Sequence, residues 1–293
     1  MSEGTVLEQS VAFLDEYMDR WFASEAKKPL FIFISGPQGS GKSYTGSRIN
    51  TFLQGKFKDE SRSIVYTSID DFYLTHADQK QLEDVYPDNL LLKGRGLPGT
   101  HDMTLLYECV DSVINHTAGE TSDLKLPLYD KSKFNGEGDR SDEWKFAKLP
   151  VDIFILEGWF LGFNSIIPNE STPHDIRKEL AGDMKIVNSN LFMYGDLLWN
   201  NEDISSFGIA LCTDDVVKNA HLWRLEQEHE TIAKFGNGMS DVQVKDFVNR
   251  YCPSYNLYYN SFVQGERLGS IATLTLGIDV NRQVVSSKIR SIE

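Results

Sequence analysis

FIFISGPQGSGKSYTG occupies residues 31–46, and its reading decides the fold. Residues 30–35 are five apolar residues and a serine, a pattern that predicts a strand buried on both faces. Gly36-Pro37-Gln38-Gly39-Ser40-Gly41-Lys42-Ser43 follows at once and fits GxxxxGK[ST] at every fixed position. The glycines let the backbone curl until consecutive N–H groups point at one anion. A helix opening at the end of the loop adds the positive end of its dipole. Lys42 is then placed to reach β- and γ-phosphates, and Ser43 to ligate Mg²⁺. The stretch from Gly36 to Ser43, with Tyr44 beside it, is the predicted nucleotide contact. A strand before and a helix after are the context this loop requires, but GTPases, motors, transporters and kinases all share it.

Bulk properties narrow the field. The chain has 293 residues, 41% of them hydrophobic and 25% charged, which suits a soluble globular α/β protein with a sizeable core. A net charge of −14 argues against a nucleic-acid partner and against anionic membrane surfaces. Any anion site must therefore gather its cations locally. Cys109, Cys212 and Cys252 are widely spaced, with apolar neighbours, and read as reduced, buried thiols. The opening MSEGTVLEQS lacks a signal-peptide layout, and no apolar run approaches 18 residues, so a cytosolic or nuclear protein is expected.

Along the chain, Leu7, Val11, Leu14, Met18 and Trp21 mark an N-terminal helix within residues 1–29, ended by Lys27-Lys28-Pro29. A second helix runs from the loop to about Gln54. Strands are read at 63–73, 151–158, 206–213 and, as the last, 270–278; helices at 104–114, 214–235, 240–251 and 254–264. Residues 120–150 are polar and irregular, and 164–187 show no clear period and read as a loop or insertion. Strands alternating with helices imply a mostly parallel sheet covered on both faces, in one domain.

Two acidic positions turn a phosphate grip into chemistry. VDIFILEG places Glu157 at the end of an apolar strand, where a carboxylate would hold Mg²⁺. No Asn-Lys-x-Asp guanine-reading motif and no LSGGQ signature occurs, which favours ATP over GTP and disfavours a transporter subunit. SIDDFY places Asp70 and Asp71 at the end of another strand, the edge at which open α/β sheets bind ligands. One of them is expected to face the γ-phosphate and to take a proton from an acceptor hydroxyl. Spacing alone does not choose between them.

These motifs together resemble the P-loop kinases that include phosphoribulokinase, uridine kinase and pantothenate kinase. KGRGLPGTHD (93–102), YDKS (129–132), GDR (138–140), LEGWFLGF (156–163), IVNSNLFMY (186–194), LWRLEQE (222–228) and GMSDVQVKDFVNRYCPSY (238–255) are similar to the plant-type D-glycerate 3-kinases. The nearest resemblance is to a small fungal branch of that group, described as probable ATP-dependent kinases. It implies a P-loop NTPase fold with a helical lid over 214–264, Asp70 as the catalytic base, and Glu157 as the Walker B acid that holds the metal with Ser43. It also implies that Arg224 closes over the phosphates with Lys42, although Arg224 and Glu228 are equally an i,i+4 helix pair. One position departs from the group: Gly136-Glu137-Gly138 carries a carboxylate where a basic residue usually precedes GDR.

The loops within 93–150 concentrate cations in an acidic protein, and loops at a sheet edge carry sites. Arg95, His101, Lys131 and Arg140, with Asp102, Tyr129 and Asp130, form the predicted acceptor site. Converging Arg and Lys suit a carboxylate or phosphate on the acceptor. The expected activity is transfer of the ATP γ-phosphate, with Mg²⁺, to a hydroxyl of a small anionic metabolite resembling glycerate. A sugar, nucleoside or vitamin precursor as acceptor, or a silent nucleotide-binding regulator, are the competing readings.

Overall fold

The structure, a computed structural model, describes residues 4–24, 29–116, 122–236 and 238–291. Its main sheet has six strands: β1 (Leu30–Ser35), β2 (Ile64–Ser68), β3 (Ile153–Gly158), β4 (Ser205–Cys212), β5 (Ala272–Ile278) and β6 (Val284–Ser291). They lie in the order β6-β5-β4-β1-β3-β2. All neighbours are parallel except β5 and β6. Helices cover both faces, as an α/β P-loop fold requires. They are α1 (Val6–Ala23), α2 (Lys42–Lys56), α3 (His76–Val85), α4 (Met103–Ile114), α5 (His174–Ala181), α6 (Met184–Leu197), α7 (Val216–Phe235) and α8 (Asp241–Asn249), followed by a helical run over 252–265.

The alternation of β1 divides the core. Leu30, Ile32 and Ile34 point to one face, where Phe13, Leu14 and Met18 of α1 and Ile49 and Leu53 of α2 meet them. Phe31 and Phe33 point to the other, against a larger cluster that includes Val187 and Leu191 of α6 and Phe262. Each fully buried side chain of this size contributes about 1.5–3 kcal/mol. α1 starts at a capping box in which Thr5 and Glu8 satisfy each other's backbone N–H. The expected stop at Lys27-Lys28 lies outside the described residues.

Three expectations are corrected. Residues 164–187 are not all loop, because α5 and the start of α6 fall within them. Met184, Val187, Leu191 and Tyr194 form a buried helical stripe whose period shows only beyond residue 187. The strand at 272–278 is not the last: β6 follows it, and its burial pattern is almost wholly exposed, so no apolar alternation announces it. Asp70 and Asp71 are not on extended chain. β2 ends at Ser68, and residues 69–72 form a 3₁₀ turn capped by Ser68. Two short ribbons order the irregular 120–150 region, pairing Asp123–Leu126 with Lys145–Lys148 and Tyr129–Asp130 with Asp139–Arg140. Among the described residues, no helix is long and apolar enough to cross a membrane.

Candidate active site

A cleft of about 1400 Å³ opens at the C-terminal ends of β1, β3 and β2, where a mostly parallel sheet binds ligands. The loop after β1 forms one wall. Gly39 has φ +76°, and a Cβ there would fall 2.4 Å from the Cβ of Trp223 on α7, so only glycine fits. Gly41 caps α2 in the left-handed region, and Lys42 is the first residue of that helix. The Gln38 N–H donates to the Tyr255 hydroxyl at 3.3 Å. Tyr255 begins a π-helical turn, Tyr255–Tyr259, that packs under the site, and such turns often mark functional positions.

Register puts the acids in place. Ile34 of β1 and Ser68 of β2 both pair with Glu157 at the end of β3. Glu157 is 4% exposed; its Oε1 accepts a hydrogen bond from Ser43 Oγ at 2.9 Å, and its Oε2 is buried with no hydrogen-bond partner. An orphaned carboxylate oxygen beside a serine hydroxyl fits a hard cation such as Mg²⁺. No cluster of three His, Cys, Asp or Glu ligands occurs among the described residues. Mg²⁺ usually takes one or two carboxylates and completes its shell with waters and phosphates.

The 3₁₀ turn separates the two aspartates. Asp71 Oδ2 accepts from Thr67 Oγ1 at 3.2 Å and from the Ser68 N–H at 3.3 Å, which turns it back onto its own strand. Asp70 lines the cleft. Its Oδ1 accepts from the Tyr73 hydroxyl at 2.8 Å, and its Oδ2 lies 2.5 Å from Lys131 Nζ. Burial alone would raise the Asp70 carboxyl, but the charge and hydrogen bond of Lys131, with Lys42 and Tyr73, hold it well below the usual carboxylate range. The same pairing raises Lys131, against its own desolvation.

Of the predicted acceptor residues, the cleft is lined by Arg95 and Lys131 but not by His101, Asp102, Tyr129, Asp130 or Arg140. His101 is buried, stacks on Tyr73 and shares a hydrogen bond with the Tyr194 hydroxyl at 2.8 Å. Burial lowers its imidazole to about 3, so it is neutral. Asp102 caps α4 through the Leu105 N–H and pairs with Arg140 at 2.9 Å. Arg140 also donates to the Tyr73 carbonyl, so this pair holds the wall behind Asp70. Asp130 folds its own loop by accepting from the N–H and hydroxyl of Ser132. Tyr129 packs edge-on to Tyr73 beneath Arg95.

Arg224 is both a helix ion-pair partner and a residue of the cleft lining. It pairs with Glu228 at 2.8 Å along α7 and also lines the cleft, with Nε buried and unpartnered. Glu228 in turn accepts the Met239 N–H at 2.8 Å, tying α7 to the approach to α8.

The cleft also holds cations beyond the predicted acceptor residues, one of them, Lys93, from the cation-rich segment itself. Lys93 and Arg250 line the cleft with Arg95. Arg250 is fixed by the carbonyls of Leu91 and Gly94, and Arg95 by those of Gly136 and Glu137. Among the described residues, none of these three cations is in an ion pair with a carboxylate. Lys93 belongs to the cation-rich KGRG segment that the sequence already marks, but Arg250 lies some 155 residues from the carbonyls it grips. Arg282 comes from the turn between β5 and β6; its Nε donates to the Gly39 carbonyl at 2.8 Å and its Nη2 lies 2.6 Å from Glu226. No motif signals it, because β6, the second strand of the hairpin that delivers it, is almost wholly exposed and carries no apolar alternation.

Comparison with known proteins accords with this geometry. No protein-family model matches the chain. It is 56% identical to the Probable ATP-dependent kinase TDA10 of Saccharomyces cerevisiae over 99% of this chain and 98% of that protein. It is 34% identical to the chloroplastic D-glycerate 3-kinase of Arabidopsis thaliana over 87% of this chain and 53% of that protein. The solved structure of D-glycerate 3-kinase from Cryptococcus neoformans superposes with a TM-score of 0.82 at 32% identity, covering 99% of this chain and all of that one. With a P-loop, a buried glutamate beside its serine and a sheet-edge aspartate in one cleft, the chain belongs to the P-loop kinase family that contains these ATP-dependent and D-glycerate kinases.

Proposed function

We propose that this protein transfers the γ-phosphoryl group of ATP to a hydroxyl of a small anionic acceptor of the glycerate type. One observation carries the reading: in a chain of net charge −14, Lys93, Arg95 and Arg250 line the same cleft as Asp70 with no carboxylate partner among the described residues. Such cations, where backbone carbonyls hold them in place, are pre-organised for a carboxylate.

The residues then take distinct roles. The N–H groups of residues 36–43 and the Lys42 ammonium hold the phosphates. Ser43 and Glu157 would hold Mg²⁺, which supplies charge neutralisation on the phosphoryl oxygens when bound. Asp70 orients the acceptor hydroxyl and takes its proton, and Arg224 faces the charge that develops on the transferring group. Positioning and electrostatics supply most of the acceleration.

Glu137 does not oppose an anionic acceptor. Its carboxylate is turned onto Lys80 and His76, each at 2.8 Å, and those hydrogen bonds lower its carboxyl. The test is a coupled assay of ADP formation with D-glycerate, glycerol, sugars and nucleosides as acceptors. D-glycerate or a close hydroxy acid should raise turnover, and glycerol should not. A rise with nucleosides alone, or with no acceptor at all, would displace this reading.

A further inference from the structure

The Asp70–Lys131 ion pair lies where the proposed chemistry has to begin. Lys131 engages Oδ2 and the Tyr73 hydroxyl engages Oδ1, so both oxygens of the carboxylate are occupied. A carboxylate held by an ammonium in this way is a poor base for the proton of a hydroxyl or a water. We propose that Lys131 is the specificity-determining residue of this cleft: it holds Asp70 until an anionic group beside the reacting hydroxyl draws the ammonium away, so the base is released only to an anionic acceptor. This rests on the kinase reading above and adds to it how the acceptor is chosen.

The surroundings favour an exchangeable lysine over a fixed strut. Lys131 stands on a four-carbon stem at the start of the loop 131–138, and more than half of its side-chain surface is open. Phe134, Asn135, Gly136 and Gly138 in that loop all have φ between +51° and +95°. Such a turn is held by outside contacts more than by its own preference. Those contacts are the Arg95 guanidinium on the carbonyls of Gly136 and Glu137, and Lys80 and His76 on the Glu137 side chain. They fix the far end of the loop, while the Lys131 ammonium is tied to Asp70.

Charge then decides which molecule releases the base. Lys42 and Arg95 also face this pair, and Glu157 lies beyond it. An acceptor carboxylate that settles among Lys93, Arg95 and Arg250 offers Lys131 a second charge-assisted partner, so one strong hydrogen bond replaces another. Glycerol and water offer no counter-charge and leave the pair closed. The consequence is protection of ATP. In hydrolysis a water oxygen forms a bond to the γ-phosphorus, the bond to the β,γ-bridging oxygen breaks with its electron pair leaving on ADP, and the water proton goes to Asp70. While Lys131 occupies Asp70, the carboxylate is too weak a base to take that proton.

The experiment measures ADP release from Mg-ATP with no acceptor in the wild type, Lys131→Met, Lys131→Arg and the double variant Lys131→Met with Asp70→Asn. The nucleotide Kd and melting temperature of each variant show that it is folded and loaded. Hydrolysis should rise about tenfold in Lys131→Met, a part of the roughly 10²–10⁴-fold that a positioned base contributes. It should fall back in the double variant, and Lys131→Arg should hydrolyse less than Lys131→Met. Lys131→Met should also lose the preference for D-glycerate over glycerol. Hydrolysis in Lys131→Met at or below the wild-type rate overturns the proposal, and so does a rise that persists without Asp70. If the wild type phosphorylates neither acceptor, the function above fails, while the hydrolysis comparison still decides the role of Lys131.

Discussion

At the scale of single residues, surroundings separate chemistry from support between side chains that meet only in space. Asp70 and His101 are close neighbours: the histidine stacks on Tyr73, whose hydroxyl donates to Asp70. Asp70 faces the cleft, and Asp70→Asn keeps its shape but cannot take a proton. Acceptor phosphorylation should fall about 10²–10⁴-fold while ATP binding stays, read as kcat against nucleotide Kd. His101 affects stability instead. Its ordinary value is 6.5 and its folded value about 3, so between those values the unfolded chain binds the extra proton. Stability is therefore full above pH 6.5 and is lost as pH falls towards 3. From pH 6.5 to 5 the loss is about 2 kcal/mol, since one proton taken up only on unfolding costs about 1.4 kcal/mol for each pH step of one. Thermal melts at pH 7 and 5 should show that drop, and His101→Asn should shrink it.

At the scale of elements, the β5–β6 hairpin reaches the phosphate loop from the far end of the chain. The side chain of Asp279 accepts the N–H groups of Asn281 and Gln283, and the tight turn places Arg282 at φ +62°. A non-glycine residue held there is strained, and strain persists where surrounding contacts impose it. Here the contacts are the Gly39 carbonyl and Glu226, with the guanidinium 5.6 Å from the ring centre of Trp223. Trp223 itself donates to the Val280 carbonyl at 2.6 Å, which closes the link between α7 and the hairpin. Arg282→Ala should raise the KM for ATP about tenfold, the equivalent of one charge-assisted hydrogen bond of about 1.5 kcal/mol. The acceptor KM should move little, because the strand order places the hairpin on the β4 side of β1 and Asp70 on the β3 side. An unchanged ATP KM would remove the hairpin from the nucleotide site.

Over the whole molecule, one strand anchors both halves of the core and the site. β1 lies between β4 and β3, is buried along its full length, and ends in the phosphate loop. Ile32→Ala leaves a cavity between α1, α2 and the sheet, and should cost about 2–5 kcal/mol in urea unfolding. If the unfolding midpoint stays put, the core is not organised around β1. The net charge of −14 acts at the same scale. Carboxylates outnumber cations over the chain, so cations that stay unpaired in the cleft stand out.

The linear sequence determined what depends on short spacing: the phosphate loop, the strand before it, the helix after it, and Glu157 at the end of an apolar run. These are legible because periodicity and fixed glycines act over a few residues. Tertiary structure alone decided which polar residues meet. Spacing leaves Asp70 and Asp71 equivalent and only the family resemblance points to Asp70; the 3₁₀ turn aims Asp70 at the cleft and folds Asp71 back. His101, Asp102 and Arg140 look like site residues in a cation-rich loop, yet packing turns them into the wall behind it. Arg250 and Arg282 reach the cleft across some 155 and 243 residues of chain. Such convergence is set by sheet order and helix packing, which bring together residues whose own neighbourhoods in sequence carry no sign of it.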